Sequence, residues 1–136
     1  AKITAAIGDT VQIIGDDVLV TQAERIQRAG AQHVCNAALI KVNQVGTVTE
    51  AKAALDAAKN LGWGSIVSAR SGESEDVTIA HLATGWDAGQ LKVGSFTRSE
   101  RMAKWNEMLR IEDSMGSAAC YAGLSAFHAN VAGAHA

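Results

Sequence analysis

The sequence predicts an α/β fold in which four β-α units lay down a parallel sheet. Two observations carry that expectation. Short apolar runs alternate four times with segments of helical periodicity. Each run also ends in polar residues, and the reference points Asp16, Lys41, Ala69 and Lys92 fall 25, 28 and 23 residues apart. Strands alternating with helices imply right-handed crossovers, and ligands of such sheets gather at the C-terminal strand ends. Four strands make an open doubly wound sheet or half of an eight-stranded barrel, and the pattern alone does not choose.

Each element has its own signal. Val11–Ile14 is a β-branched run closing on Gly15-Asp16-Asp17, a strand followed by a turn. Thr21 with Glu24 three residues on has the form of a capping box for a helix over 22–30. Asn36–Val42 is the second strand. A long helix over 48–61 follows, with Ala51, Ala54, Leu55, Ala58 and Leu61 at helical spacing, Thr47 or Thr49 as cap and Gly62 as stop. Ser65–Ser68 is the third strand, and Ser74 is the expected cap of a helix over 75–85. Gln90–Val93 is the fourth strand. The last clear helix, over 99–114, turns Met102, Trp105, Leu109 and Met108 inward, and Tyr121 and Phe127 are expected to anchor the tail.

Composition bounds the reading. The chain has 136 residues, enough for one domain with a core, and 12 basic against 14 acidic residues give a net charge of −2. No basic stripe points to nucleic acid, and no apolar run is long enough to span a bilayer. The two cysteines, Cys35 and Cys120, lack metal-ligand spacing and read as isolated thiols of a cytosolic protein or as one disulfide. His33, His81, His128 and His135 lack zinc spacing and are expected at the surface or in the tail, and the three tryptophans are expected to pack. There is no Gly-x-Gly-x-x-Gly after a strand and no P-loop. The chain starts without methionine, in a helix-like stretch, and is read as cut from something longer.

The polar strand ends are the candidate chemistry. Asp16 and Asp17 supply turn chemistry, a helix cap, or one ligand to a hard cation such as Mg²⁺. Lys41 and Lys92 either snorkel to solvent or work together, a neutral lysine taking a proton next to a carboxylate while a charged one stabilises the enolate. Arg70-Ser71-Gly72 offers a guanidinium, a hydroxyl and a permissive backbone for phosphate or carboxylate, or else forms a solvated charged loop. Glu73, Glu75 and Asp76 are expected as helix-start charges.

Longer motifs then carry a resemblance. Gly15-Asp-Asp-Val-Leu-Val-Thr, Leu39-Ile-Lys-Val-Asn-Gln-Val-Gly-Thr-Val-Thr-Glu, Gly62-Trp-Gly, Arg70-Ser-Gly-Glu-Ser-Glu-Asp, Arg98-Ser-Glu-Arg-Met-Ala-Lys-Trp-Asn and Leu109-Arg-Ile-Glu resemble enolase, in order, from about Val11 to Phe127. The resemblance implies the C-terminal half of an enolase-type (β/α)8 TIM barrel over residues 1–136, with the N-terminal domain and first barrel strands absent. It implies a cytoplasmic, Mg²⁺-dependent carbon–oxygen lyase of glycolysis and gluconeogenesis, phosphopyruvate hydratase, that interconverts 2-phosphoglycerate and phosphoenolpyruvate and is usually dimeric. Matched by motif, Lys41 looks like the base and Lys92 like the partner that holds the substrate carboxylate and enolate. Arg70 and Ser71 look like the phosphate contacts, and Asp16 like one Mg²⁺ ligand.

Two departures bear on that expectation. The family loop reads Ser-His-Arg-Ser-Gly-Glu, and this chain has Ala69 in place of the histidine. The family's other two metal carboxylates and its general-acid glutamate lie upstream and have no counterpart here. The chain alone is therefore expected to be an incomplete catalyst that self-associates or pairs with the missing half of the barrel. The alternatives are a divergent relative acting on another phospho- or phosphono-hydroxy acid, which Ala69 favours, and a non-catalytic half-barrel.

Overall fold

A computed structural model of the chain describes residues 1–127. His128 and His135 lie outside them. Four parallel strands run in the order β1-β2-β3-β4: β1 (Ile14–Gly15), β2 (Ala37–Ile40), β3 (Gly64–Ser68) and β4 (Gly89–Lys92). The helices are α1 (Lys2–Ile7), α2 (Ala23–Ala31), α3 (Val42–Val45), α4 (Val48–Asn60), α5 (Thr78–Gly85) and α6 (Ser99–Met115), followed by 3₁₀ turns at Gly116–Ala118 and Gly123–Ala126. The sheet order equals the chain order, so each crossover helix returns the chain beside the strand it has just left.

The sheet has two faces with different jobs. Ala38, Ile40 and Val67 point outward into a core completed by Ile26 of α2 and by Ala51, Ala54, Leu55 and Ala58 of α4. Alanines at helical spacing bring α4 close to the strands. Gly30 lets α2 approach the end of α4, because a Cβ there would lie 2.6 Å from Leu61 Cδ1. The inner face carries a second, smaller cluster of Ala37, Leu39 and Ile66. Gln12 and Gln90 close that face at its lower end, exchanging two amide hydrogen bonds of 3.0 and 2.9 Å.

Several local expectations change. Strand β1 begins at Ile14 rather than Val11, because the Ile13 N–H is taken by the Asn36 side chain at 2.6 Å. Asn36 also donates to the carbonyls of Gly8 and Val11, at 2.8 and 3.0 Å, so one buried side chain secures the whole α1–β1 connection. Thr47 caps α4 as expected, accepting from the Glu50 N–H at 3.1 Å while its hydroxyl donates to the Glu50 carboxylate. Thr21 caps nothing. It is fully buried beneath Lys41, and α2 starts after Gln22 without a side-chain cap. Strand β2 ends at Ile40 rather than Val42, a short helix, α3, follows Lys41, and Gly46 ends it at φ +112°.

Helix α5 starts at Thr78, three residues later than the sequence suggests, and Ser74 is not its cap. Instead Asp76 accepts from the Thr78 N–H at 2.9 Å, a bond that holds its carboxyl below the usual range. Leu109, expected inside, is exposed, and Tyr121 is 96% exposed and anchors nothing. Phe127 is 37% exposed, so the tail is held instead by Gln90, which donates to the Ala126 carbonyl. Both cysteines are free thiols, Cys35 buried and Cys120 exposed, and burial pushes the Cys35 thiol up. Among the described residues no helix is long and apolar enough to cross a membrane.

An exposed tie joins α5 to α6. Glu107 receives Arg110 at 2.9 Å and lies 2.9 Å from His81. The Arg110 bond holds the Glu107 carboxyl below its ordinary value, burial opposes it, and His81 adds to the lowering. A depressed carboxylate contributes stability above its unfolded value of 4.5 and loses it as pH falls through the folded one. Thermal midpoints of the parent and Glu107→Gln should therefore differ at neutral pH and converge in acid, below the lowered folded-state value. Parallel curves across that range would remove Glu107 from the acid response.

Candidate active site

The C-terminal ends of β2, β3 and β4 open into a cleft of about 560 Å³. Lys41, Arg70, Lys92, Arg98 and Arg101 line it together with Ala69, Ser71 and Ser95, and no carboxylate does. Five cations around one concave surface in a chain of net charge −2 mark an anion site.

The register explains how they meet. Ile40 pairs with Val67, and Ser68 with Lys92, so Lys41, Ser68 and Lys92 stand at one level of the sheet and share its inner face. Lys41 is 8% exposed and donates to Asp16 Oδ1 at 2.6 Å. Its backbone N–H donates to Thr21 Oγ1 at 3.0 Å, and that hydroxyl donates onward to Gln44 Oε1 at 2.8 Å. Thr21 holds this place at φ +54°, an unusual conformation for a β-branched residue that its burial enforces. Sequence reasoning took Thr21 for a cap, and the direct run from strand into lysine concealed its role.

Whereas Lys41 is buried, Lys92 stands at the end of β4 and is exposed. Its carbonyl accepts from the Ala69 N–H at 2.9 Å, which sets the start of the Arg70 loop against β4. Ala69 is 6% exposed and lines the cleft next to Arg70. Arg70 is half-buried and reaches the Asn43 carbonyl at 3.0 Å, while Ser71 stands exposed at the rim.

Two cations of α6 were missed by sequence reading. Arg101 donates to the carbonyls of Arg70 and Val93, at 2.8 and 2.9 Å, and to that of Ser71 at 3.0 Å. Lys104 is fully buried beside Glu73. Their spacing offered a signal, since Arg101, Lys104 and Met108 share one helical face. The apolar Met102–Trp105 pattern drew attention away from it. Glu73, expected as a helix-start charge, is instead drawn into this arrangement and lies five residues before α5.

The metal expectation meets the donor set only in part. Mg²⁺ asks for near-octahedral oxygen donors. Asp16 offers a carboxylate, 39% exposed, with one oxygen already bonded to Lys41. Asp17 is exposed beside it. Among the described residues no group of three or more histidines, cysteines or carboxylates is placed to hold an ion. These residues fit one corner of a metal site and do not form a complete one.

Comparison with known proteins decides the family. A family model described as the enolase C-terminal TIM barrel domain matches residues 1–130. The chain belongs to the enolase family. It is 55% identical over 125 residues to enolase of Solanum lycopersicum, covering 92% of this chain and 28% of that protein. It is 52% identical over 126 residues to enolase of Acidothermus cellulolyticus, covering 93% and 29%. Enolase 2 of Hevea brasiliensis is 52% identical over 123 residues, with 90% and 28% covered. The chain thus spans less than a third of the length of these enolases. The four parallel strands described above are part of an enolase TIM barrel domain, which settles the choice that the strand pattern left open.

Proposed function

We propose that this chain supplies the proton-abstracting and phosphate-holding half of an enolase active site, within a cytoplasmic, oligomeric phosphopyruvate hydratase of glycolysis. The observation that carries the reading is the cationic cleft, with Lys41 and Lys92 at one sheet level and Arg70 and Ser71 on the loop between them. Arg70 and Ser71 suit the phosphate of 2-phosphoglycerate, and Lys92 suits its carboxylate. Lys41 Nζ takes the C2 proton. The electron pair left on carbon moves into the carboxylate, where Lys92 meets the developing charge. The ammonium formed on Lys41 has the Asp16 carboxylate 2.6 Å away.

Expulsion of hydroxide then needs an acid. On the resemblance to enolase that acid is a glutamate with no counterpart in this chain, so the proton is supplied by a group outside the described lining. The same holds for Mg²⁺, for which Asp16 is one ligand among several and which supplies charge stabilisation to the substrate carboxylate when bound. Residues 1–136 act as the C-terminal half of the barrel, and the first half, in the same molecule or a partner, completes the site.

Ala69 supports a second reading, action on another phospho- or phosphono-hydroxy acid. The discriminating variant is Ala69→His in the protein carrying this sequence, assayed by phosphoenolpyruvate formation. On the first reading the imidazole regains a donor beside the substrate, and kcat/KM for 2-phosphoglycerate rises about tenfold or more. No gain, with turnover of a related acid by the parent, transfers the proposal to the second reading.

A further inference from the structure

The loop that presents Arg70 and Ser71 has no secondary structure of its own through Asp76. Loops of this kind owe their shape to what their carbonyls and amides bond to. Here the partners come from one turn of α6. Lys104 is fully buried, and its three ammonium hydrogens have three acceptors: the Ser74 carbonyl at 2.8 Å, the Glu100 carbonyl at 2.9 Å and Glu73 Oε2 at 3.1 Å. The other oxygen of the same carboxylate, Glu73 Oε1, accepts from the Arg70 N–H at 2.6 Å. A continuous chain of bonds therefore runs from the body of α6 through Lys104 and Glu73 to the backbone of Arg70.

We propose that Glu73 and Lys104 are positioning residues of the phosphate-holding loop. Neither lines the cleft. They act through Arg70, fixing its backbone so that its guanidinium and the neighbouring Ser71 hydroxyl face the anion with little ordering left to do on binding. The proposal rests on the reading of Arg70 and Ser71 as phosphate contacts. Its chemistry is specific. A carboxylate can accept from Arg70 and Lys104 at once, whereas a glutamine at 73 has one acceptor oxygen and must turn its amide donor toward one of two donors. Glu73→Gln thus breaks one bond of the chain with almost no change of volume. Lys104→Met removes the ammonium and keeps the length of the stem.

The test uses the purified protein carrying this sequence. Inorganic phosphate is titrated and followed at the Arg70 and Ser71 amide signals by NMR, with hydrogen exchange of the Arg70 amide and thermal midpoints measured on each variant. Glu73→Gln and Lys104→Met should weaken phosphate binding about tenfold or more. The Arg70 amide should exchange about tenfold faster in Glu73→Gln. Asn36→Ala is the structural control, because it removes buried bonds far from this loop and should leave phosphate affinity within about twofold. Should Lys104→Met not fold, Glu73→Gln alone carries the test. Phosphate affinity within twofold of the parent in Glu73→Gln, with the Arg70 amide equally protected, overturns the positioning role and leaves the cleft an anion site. Equal loss in Asn36→Ala also overturns it, since general destabilisation would then explain the effect. A parent protein whose Arg70 and Ser71 signals ignore phosphate overturns the anion reading itself and this inference with it.

Discussion

Lys41→Met is expected to slow removal of the C2 proton of 2-phosphoglycerate by about 10²- to 10⁴-fold, the range a positioned general base supplies. The side chain is 10% exposed and its stem is packed, so methionine keeps the volume and loses only the amine. Asp16, 39% exposed, turns to water when its partner is gone. The fold should therefore survive, with stability within about 1 kcal/mol of the parent. Deuterium exchange at C2 in D₂O isolates this step from the loss of hydroxide, which needs a different group. A variant that exchanges C2 as fast as the parent would remove Lys41 from the role of base, whatever happens to overall turnover. Lys92→Met should act otherwise, weakening substrate binding as well as exchange, because on the proposed reading Lys92 holds the substrate carboxylate before it meets the enolate charge.

The largest expected loss of stability belongs to Asn36. It is 6% exposed and makes three hydrogen bonds to backbone, one accepted from Ile13 and two donated, to Gly8 and Val11. Asn36→Ala leaves the Ile13 N–H and both carbonyls without these partners, the Gly8 carbonyl at a buried bond and the other two groups at part-buried ones. The cost should be about 2–4 kcal/mol, read from urea midpoints. Asn36→Asp sharpens the test. It keeps the acceptor for Ile13 and aims a carboxylate at two carbonyl oxygens. Its destabilisation should be at least as large at neutral pH and should shrink in acid, where the protonated carboxyl can donate once. A loss under about 1 kcal/mol for both variants would mean that the α1–β1 connection is held by its apolar contacts instead.

Much of this architecture is written in local pattern. The helix over 48–61 and its Thr47 cap are legible because one alanine face and one hydroxyl decide them within the segment. The four strands are legible because their apolar runs are short and bounded, and their ends mark the cleft residues Lys41, Ala69, Arg70 and Lys92. The misread places share a cause. Thr21 leaves its capping pattern because the amide of Lys41, twenty residues on, needs an acceptor. The start of α5 is delayed because Glu73 and Ser74 are claimed by a lysine thirty residues later. Leu109 faces solvent while Arg101 and Lys104 turn inward, since carbonyls of another loop need donors more than that surface needs a leucine. Periodicity sees apolar burial well. It does not see a polar group buried for the sake of a distant backbone.

The sheet order has a consequence for how the chain reaches its fold. Every strand pairs with its neighbour in sequence, through partners 23 to 27 residues apart in the ladder. Each β-α unit can therefore dock as soon as it is complete, without waiting for chain still to come, and the entropy of closing long loops stays small. The bonds between Gln12 and Gln90 are of another kind, since they span 78 residues and cannot form until β4 is in place. They lie late on the folding path. A substitution at Gln12 should speed unfolding and leave the folding rate nearly unchanged, so the two glutamines act as a latch on a structure already built.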